Sequence, residues 1–155
     1  MLRLLSIRNF VVVEALDIEV APGFTVLTGE TGAGKSILLD ALGLVLGLRA
    51  DSGLVRAGEE QASVTATFEF SELPEAIGAA LREAEVELEP GEPLILRRRV
   101  RADGGSKAWV NDQPVGGPHA IFSRKMGLWT VLWKNLLTDI WPYDDTGKGQ
   151  KVGGP

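Results

Sequence analysis

Residues 29–36 read Gly-Glu-Thr-Gly-Ala-Gly-Lys-Ser, a complete G-x-x-x-x-G-K-[ST] phosphate-binding loop. Such a loop constrains its surroundings, because a buried strand must deliver the chain into it and a helix must carry the chain away. Both are written in the flanks. Phe24-Thr25-Val26-Leu27 is a short apolar run suited to a buried strand, and residues 37–46, Ile-Leu-Leu-Asp-Ala-Leu-Gly-Leu-Val-Leu, are suited to a helix. Glycines at 29, 32 and 34 let backbone N–H groups converge on phosphate oxygens without side-chain clash, and the helix N-terminus adds its positive dipole end. In that arrangement Lys35 reaches the β- and γ-phosphates and the Ser36 hydroxyl is a ligand of Mg²⁺. The candidates for binding a nucleoside triphosphate are therefore Gly29, Glu30, Thr31, Gly32, Ala33, Gly34, Lys35 and Ser36. A glycine-rich turn ahead of a core helix is the plain structural alternative, and the agreement of motif with flanks favours the phosphate site.

Composition narrows the class further. The chain has 155 residues, enough for one compact domain, and 45% apolar residues, enough for a real core. A net charge of −5 argues against a surface coated with cations for nucleic acid, while leaving room for a local basic patch. The chain has no cysteine, which excludes a disulfide framework and a thiolate metal site, and its single histidine, His119, argues against a histidine-based metal centre. The apolar start Met1-Leu2-Arg3-Leu4-Leu5 is interrupted by Arg8-Asn9, so no secretory signal is expected. No stretch approaches the roughly 20 apolar residues of a membrane span. The expectation is a cytoplasmic protein.

Read along its length, the chain predicts a strand over residues 2–10, with Leu2, Leu4 and Ser6 on one side and Arg3, Leu5 and Ile7 on the other. A second strand is expected over 11–20, then a turn at Ala21-Pro22-Gly23 before the phosphate-loop strand. Residues 47–58 form a loop carrying Arg49, Asp51, Ser52 and Arg56. Residues 62–70 alternate cleanly, with Val64, Ala66, Phe68 and Phe70 facing a core. A short amphipathic helix fits 73–85, begun by Ser71 or Pro74. Strands at 94–101 and 106–110 flank the hairpin turn Asp103-Gly104-Gly105, and Asn111-Asp112-Gln113 makes another tight turn. From about Gly116 the character changes: Trp129, Trp133 and Trp141 fall here, residues 126–140 have some helical spacing, and the end is rich in glycine and charge. A poorly ordered tail is expected there.

Taken together, these stretches resemble one family closely. Met1-Leu-x-Leu-x-Ile-Arg-Asn-Phe, the phosphate loop, Gly47-Leu-Arg-Ala-Asp51, Val55-Arg-Ala-Gly58, the strand 62–70 and Arg97-Arg-x-Val-x-x-Asp-Gly-Gly-Ser-Lys-Ala-Trp-Val-Asn111 are similar to the bacterial RecN family of DNA repair proteins. That family belongs to the SMC-like ABC ATPases, and the likeness covers residues 1–117. It implies an α/β P-loop NTPase fold, the N-terminal lobe of an ABC/SMC-type ATPase head with a mixed sheet, and ATP with Mg²⁺ as ligands. It further implies recombinational repair of DNA double-strand breaks, a nucleoid-associated location, head homodimers and an indirect relation to DNA. In the family a C-terminal lobe, joined through a long coiled coil, supplies the signature segment, an Asp-Glu pair and a switch histidine. None of these is found in this chain, and residues 118–155 have no likeness to the family. An N-terminal head fragment carrying an unrelated tail, as a reading-frame shift near residue 118 would produce, is the expectation, with little or no hydrolysis on its own. A stand-alone small P-loop kinase and a non-functional truncated product are the alternatives.

Other candidates are weaker. Arg49 and Arg56 lie in a loop that, by resemblance, senses nucleotide or DNA, and as plain chemistry are solvated loop charges. Arg8 and Asn9 contact nucleotide by resemblance only. Arg97, Arg99 and Arg101 share a strand face and, with Arg98 and Lys107, form the one basic cluster. That face could present three cations to phosphates, but a solvated face, or one ion-paired with Glu83, Glu85, Glu87, Glu89 and Glu92, is the favoured account, since no interleaved aromatic stacking platform accompanies these arginines. Leu136-Leu137-Thr138-Asp139 only faintly imitates a Mg²⁺-binding run.

Overall fold

The computed structural model describes residues 2–20, 32–47 and 49–115, and of residues 32–36 the backbone alone. Six strands form one sheet in the order β2-β1-β3-β4-β5-β6: β1 Leu2–Phe10, β2 Val13–Glu19, β3 Gln61–Phe68, β4 Leu94–Arg101, β5 Ser106–Val110 and β6 Gln113–Val115. Every pairing among them is antiparallel. The expected phosphate-loop strand at 24–27 and the turn at 21–23 lie outside the described residues, as do His119, the three tail tryptophans and the suggested helix at 126–140.

The strands follow from period-two patterning. On one face of the sheet, register aligns Leu5, Ala66, Leu96 and Val110 in one row and Ile7, Val64, Arg98 and Ala108 in the next. All eight side chains are buried. At about 25 cal/mol per Å² of apolar surface removed from water, each large aliphatic side chain in these rows contributes about 1.5–3 kcal/mol. Helix α1, Gly32–Val45, lies over this face and packs on β3 and β4. Ala41, Leu42, Leu44 and Val45 are its buried contribution. Helix α2, Glu75–Glu83, adds Ile77, Ala80 and Leu81, the i, i+3, i+4 stripe of an amphipathic helix. Gly47, at φ 110°, ends the α1 segment in a backbone conformation open to glycine.

Three local expectations are corrected. In β1 the inward residues are Leu2, Leu5, Ile7 and Phe10, not a simple alternation. Leu2 pairs with Phe68 and Leu4 with Thr67, so an extra residue in β1 makes a bulge that turns Leu2 to the core side. Second, β2 starts at Val13 because Val11 and Val12 form the hairpin turn, with Val11 at φ 55°. A β-branched residue is strained there, and the Val11 N–H bond to the Leu54 carbonyl, 2.8 Å, helps to hold it. Third, Gln113 is not part of a turn but opens β6. Asn111 and Asp112, at φ 47° and 62°, make a two-residue turn whose twist matches a hairpin.

Candidate nucleotide-binding site

Helix α1 begins at Gly32, so residues 32–36, Gly-Ala-Gly-Lys-Ser, are its first turn and not a loop ahead of it. The apolar run 37–46 read as a helix is therefore only its later part. The earlier start places the N–H groups of Gly32, Ala33 and Gly34 among those that no helical carbonyl can reach. They form a cradle at the positive end of the dipole, and the first turn carries no acidic residue to compete for an anion. This backbone suits a polyphosphate. Gly29, Glu30 and Thr31 lie outside the described residues, as do the side chains of Lys35 and Ser36.

The other end of α1 is anchored by a residue that the basic cluster concealed. Arg98 is 1% exposed, and its guanidinium Nη1 donates to the Leu44 carbonyl at 3.0 Å while Nε donates to Ser106 Oγ at 2.9 Å. The last carbonyls of a helix lack helical partners, and a cation beside them also opposes the negative dipole end. Burial draws the Arg98 pKa below its ordinary range, since desolvation disfavours the charged form. The signal was in the sequence: Leu94, Leu96, Arg98 and Val100 alternate onto the core side of β4.

Arg8 and Asn9 diverge. The Arg8 guanidinium forms two bonds to the Asp17 carboxylate, 2.8 and 3.0 Å, on the open face of the sheet. That hydrogen bonding, with help from the Ser6 hydroxyl, holds the Asp17 carboxyl below its ordinary range and raises Arg8. Asn9, at φ 49°, is instead brought to the loop after α1, where its carbonyl accepts the Arg56 N–H at 2.9 Å. Its side-chain amide is 3.5 Å from Glu59, which also sits 3.8 Å from the Arg56 guanidinium. Arg49 is exposed. Nearby, Asp51 accepts the Gly53 N–H at 2.8 Å and so caps the 3-10 turn Ser52–Leu54. Asn9 and Arg56 thus meet, and Arg8 and Arg49 do not join them.

The arginines of β4 are not neutralised by the acidic stretch between α2 and β4. Arg97 faces Asp112 at 3.8 Å and Arg101 faces Asp103 at 2.9 Å, both aspartates coming from hairpin turns. An aromatic does accompany them, from the adjacent strand: Trp109 pairs with Arg97 in register, and the Arg97 and Arg99 guanidinium carbons stand 4.4 and 5.0 Å from its ring centroid. Reading β4 alone misses this, because the aromatic arrives through strand pairing. Among the described residues no group of acidic or histidine side chains could hold a metal ion.

A phosphate-loop sequence on the first turn of a helix laid over a sheet defines the class: a P-loop nucleotide-binding domain. Residues 4–112 match the family described as AAA domain, and the chain belongs to that family. Over 115 residues it is 50% identical to the DNA repair protein RecN of Xylella fastidiosa (strain Temecula1 / ATCC 700964), a match covering 74% of this chain and 20% of that protein. RecN of Haemophilus influenzae is 50% identical over 117 residues, again 74% of this chain and 21% of the relative. RecN of Vibrio cholerae is 48% identical over 115 residues, with coverages of 74% and 20%. The resemblance drawn from the motifs therefore holds, and the chain spans about a fifth of the length of the curated relatives it matches.

Solved structures agree on the fold. A structure from work on ATP-driven dimerization and DNA-stimulated activation of SMC ATPases superposes with a TM-score of 0.60 and 25% identity, over 84% of this chain and 79% of that one. An SMC head bound to the C-winged helix domain of ScpA gives 0.59 and 26%, over 78% and 38%. The recombination mediator protein RecF, at 18% identity and a TM-score of 0.59 over 78% and 29%, shares the fold alone. The architecture is that of an SMC-type ATPase head.

Proposed function

We propose that this chain is the ATP-binding N-terminal head lobe of a RecN-like protein acting in recombinational repair of DNA double-strand breaks, and that alone it does not turn ATP over. One observation carries the reading: residues 29–36 of the P-loop pattern run into the first turn of α1, in a chain 50% identical to RecN over 115 residues. Gly29, Glu30, Thr31, Gly32, Ala33 and Gly34 would wrap the phosphates with backbone N–H groups, Lys35 would neutralise the terminal phosphates, and Ser36 would hold Mg²⁺. The metal, when bound, supplies charge neutralisation between the phosphates. Arg8, Asn9, Arg49 and Arg56 are the secondary candidates, of which Asn9 and Arg56 are in contact.

The reading assigns residues 1–117 to the head lobe and 118–155 to a segment outside it. Completion of the catalytic site by a C-terminal lobe and closure against a second head belong to the same proposal. Positioning of phosphate without a carboxylate to orient water leaves hydrolysis very slow. Steady-state ATPase assays on the 155-residue chain test this. Negligible turnover is expected with and without Lys35→Ala, and robust hydrolysis abolished by that substitution would overturn the fragment reading.

A further inference from the structure

The face of the sheet opposite α1 is polar, and its β4–β5 end is built unlike the rest. Register places Thr65, Arg97, Trp109 and Pro114 in one row and Ser63, Arg99 and Lys107 in the next, all on this side. Arg101 extends the arginine line. Toward β3 the neighbours are short hydroxyl side chains, so the long cationic and aromatic groups stand above a low floor. The chain as a whole carries a net charge of −5, yet this hairpin presents Arg97, Arg99, Arg101 and Lys107 against Asp103 and Asp112. Neither Arg99 nor Lys107 has a carboxylate within ion-pair distance among the described residues. The Arg97–Asp112 pair is long, at 3.8 Å, with the aspartate 90% exposed. At the turn end of the hairpin, Arg99, Arg101, Asp103, Gly105, Ser106 and Lys107 line a depression of about 200 Å³.

Two physical features coincide here. Cations without a carboxylate partner among the described residues, on a chain of net charge −5, attract a polyanion. Arg97 and Arg99 lie 4.4 and 5.0 Å from the Trp109 ring centroid, forming a cation–aromatic assembly beside them. Flat π-surfaces and guanidinium planes accept unstacked bases of any sequence, whereas the bases of a duplex are already stacked on each other. An acidic or metabolite partner would explain the charge but not the half-buried indole set between the arginines.

We propose that the open β4–β5 face binds single-stranded DNA, with a base stacked on the Trp109–Arg97–Arg99 assembly and backbone phosphates held by Arg99, Arg101 and Lys107. The choice of DNA over RNA rests on the repair reading above; the surface itself is independent of the phosphate loop.

Fluorescence anisotropy of a labelled twenty-nucleotide oligo(dT) with the full chain tests this. Saturable binding at low salt is expected, weakened at least tenfold by Arg99→Glu with Lys107→Glu and by Trp109→Ala, and largely restored by Trp109→Phe. For single strands log K falls by about 0.7 per phosphate contact for each unit of log salt, so losing two contacts should flatten that slope by about 1.4. Arg82→Glu, on the solvent side of α2, should bind as the parent does, and each variant's thermal transition confirms that it is folded. Lys35→Ala should retain DNA binding, which separates failure here from failure of the nucleotide reading. Absence of oligo(dT) binding overturns the proposal, as does binding untouched by the three β4–β5 substitutions in folded protein. Equal or stronger affinity for the matching duplex, insensitive to Trp109→Ala, overturns the stacking assignment in the same way.

Discussion

Arg98 shows how one side chain ties the sheet to the helix that bears the phosphate loop. It sits between Val64 and Ala108 in an apolar row, a costly place for a cation unless each N–H finds an acceptor. The Leu44 carbonyl and Ser106 Oγ are two such acceptors, one from the helix and one from β5. Arg98→Met keeps the bulk and removes the donors, so the unfolding free energy should fall by about 1–3 kcal/mol in urea titrations; an unchanged midpoint would show that the bonds contribute nothing net. Asp17 gives the second prediction at this scale. Its pKa is lowered in the folded protein by the Arg8 guanidinium, so the unfolded state takes up a proton first as pH falls. The stabilisation is therefore fully present above the unfolded value, near pH 4, and is lost as pH drops through the lower folded value. The melting temperature of the parent should decline more steeply than that of Asp17→Asn between about pH 5 and 2, both measured at the same low salt because salt screens the exposed Arg8–Asp17 pair. Both residues stand in sequence patterns that could be read, Arg98 by alternation and Asp17 by alternation on β2. Their partners could not be read, because Leu44 is 54 positions from Arg98 and is brought to it only by packing.

Among the elements, the Asn111-Asp112 turn sets the last hairpin. Asn111 does so twice: it adopts φ 47°, and its side chain accepts the Ile95 N–H at 2.8 Å while donating to the Pro93 carbonyl at 2.9 Å. Asn111→Gly keeps the backbone freedom and loses the bonds; Asn111→Ala loses both. Chemical denaturation should rank parent, then glycine, then alanine, with alanine lower than glycine by about 1 kcal/mol. The reverse order would mean that the turn is not held at positive φ. The longer elements were legible because their patterns are long. Residues 94–101 and 106–110 were read at their actual boundaries, and 62–70 differs from β3 by a residue or two at its ends. Three-residue β6, with Pro114 at its centre, offers no alternation to detect and exists because the turn delivers it to β5. The bulge in β1 is likewise invisible to periodicity, since it is fixed by pairing with β3. The phosphate-loop motif stands in the sequence itself, whereas the Trp109 assembly emerged only when strand pairing set β5 beside β4.

For the molecule as a whole, one apolar layer between the sheet and its helices joins all the described elements, and α1 carries the phosphate loop at one end and the Arg98 anchor at the other. No helix among the described residues is long and apolar enough to cross a membrane. If residues 1–117 are the head lobe, removing 118–155 should leave the thermal transition and any shift on adding ATP and Mg²⁺ essentially unchanged. Loss of a cooperative transition on truncation would place the later segment inside the folded unit. The central claim is that the first turn of α1 holds a nucleotide. It is tested most directly by equilibrium dialysis of ATP with Mg²⁺ against the 155-residue chain and its Lys35→Ala variant. The account predicts saturable, weak binding to the parent and at least a tenfold loss in the variant, with the fold intact in both. Absence of saturable binding to the folded parent, or equal affinity in the variant, would contradict it.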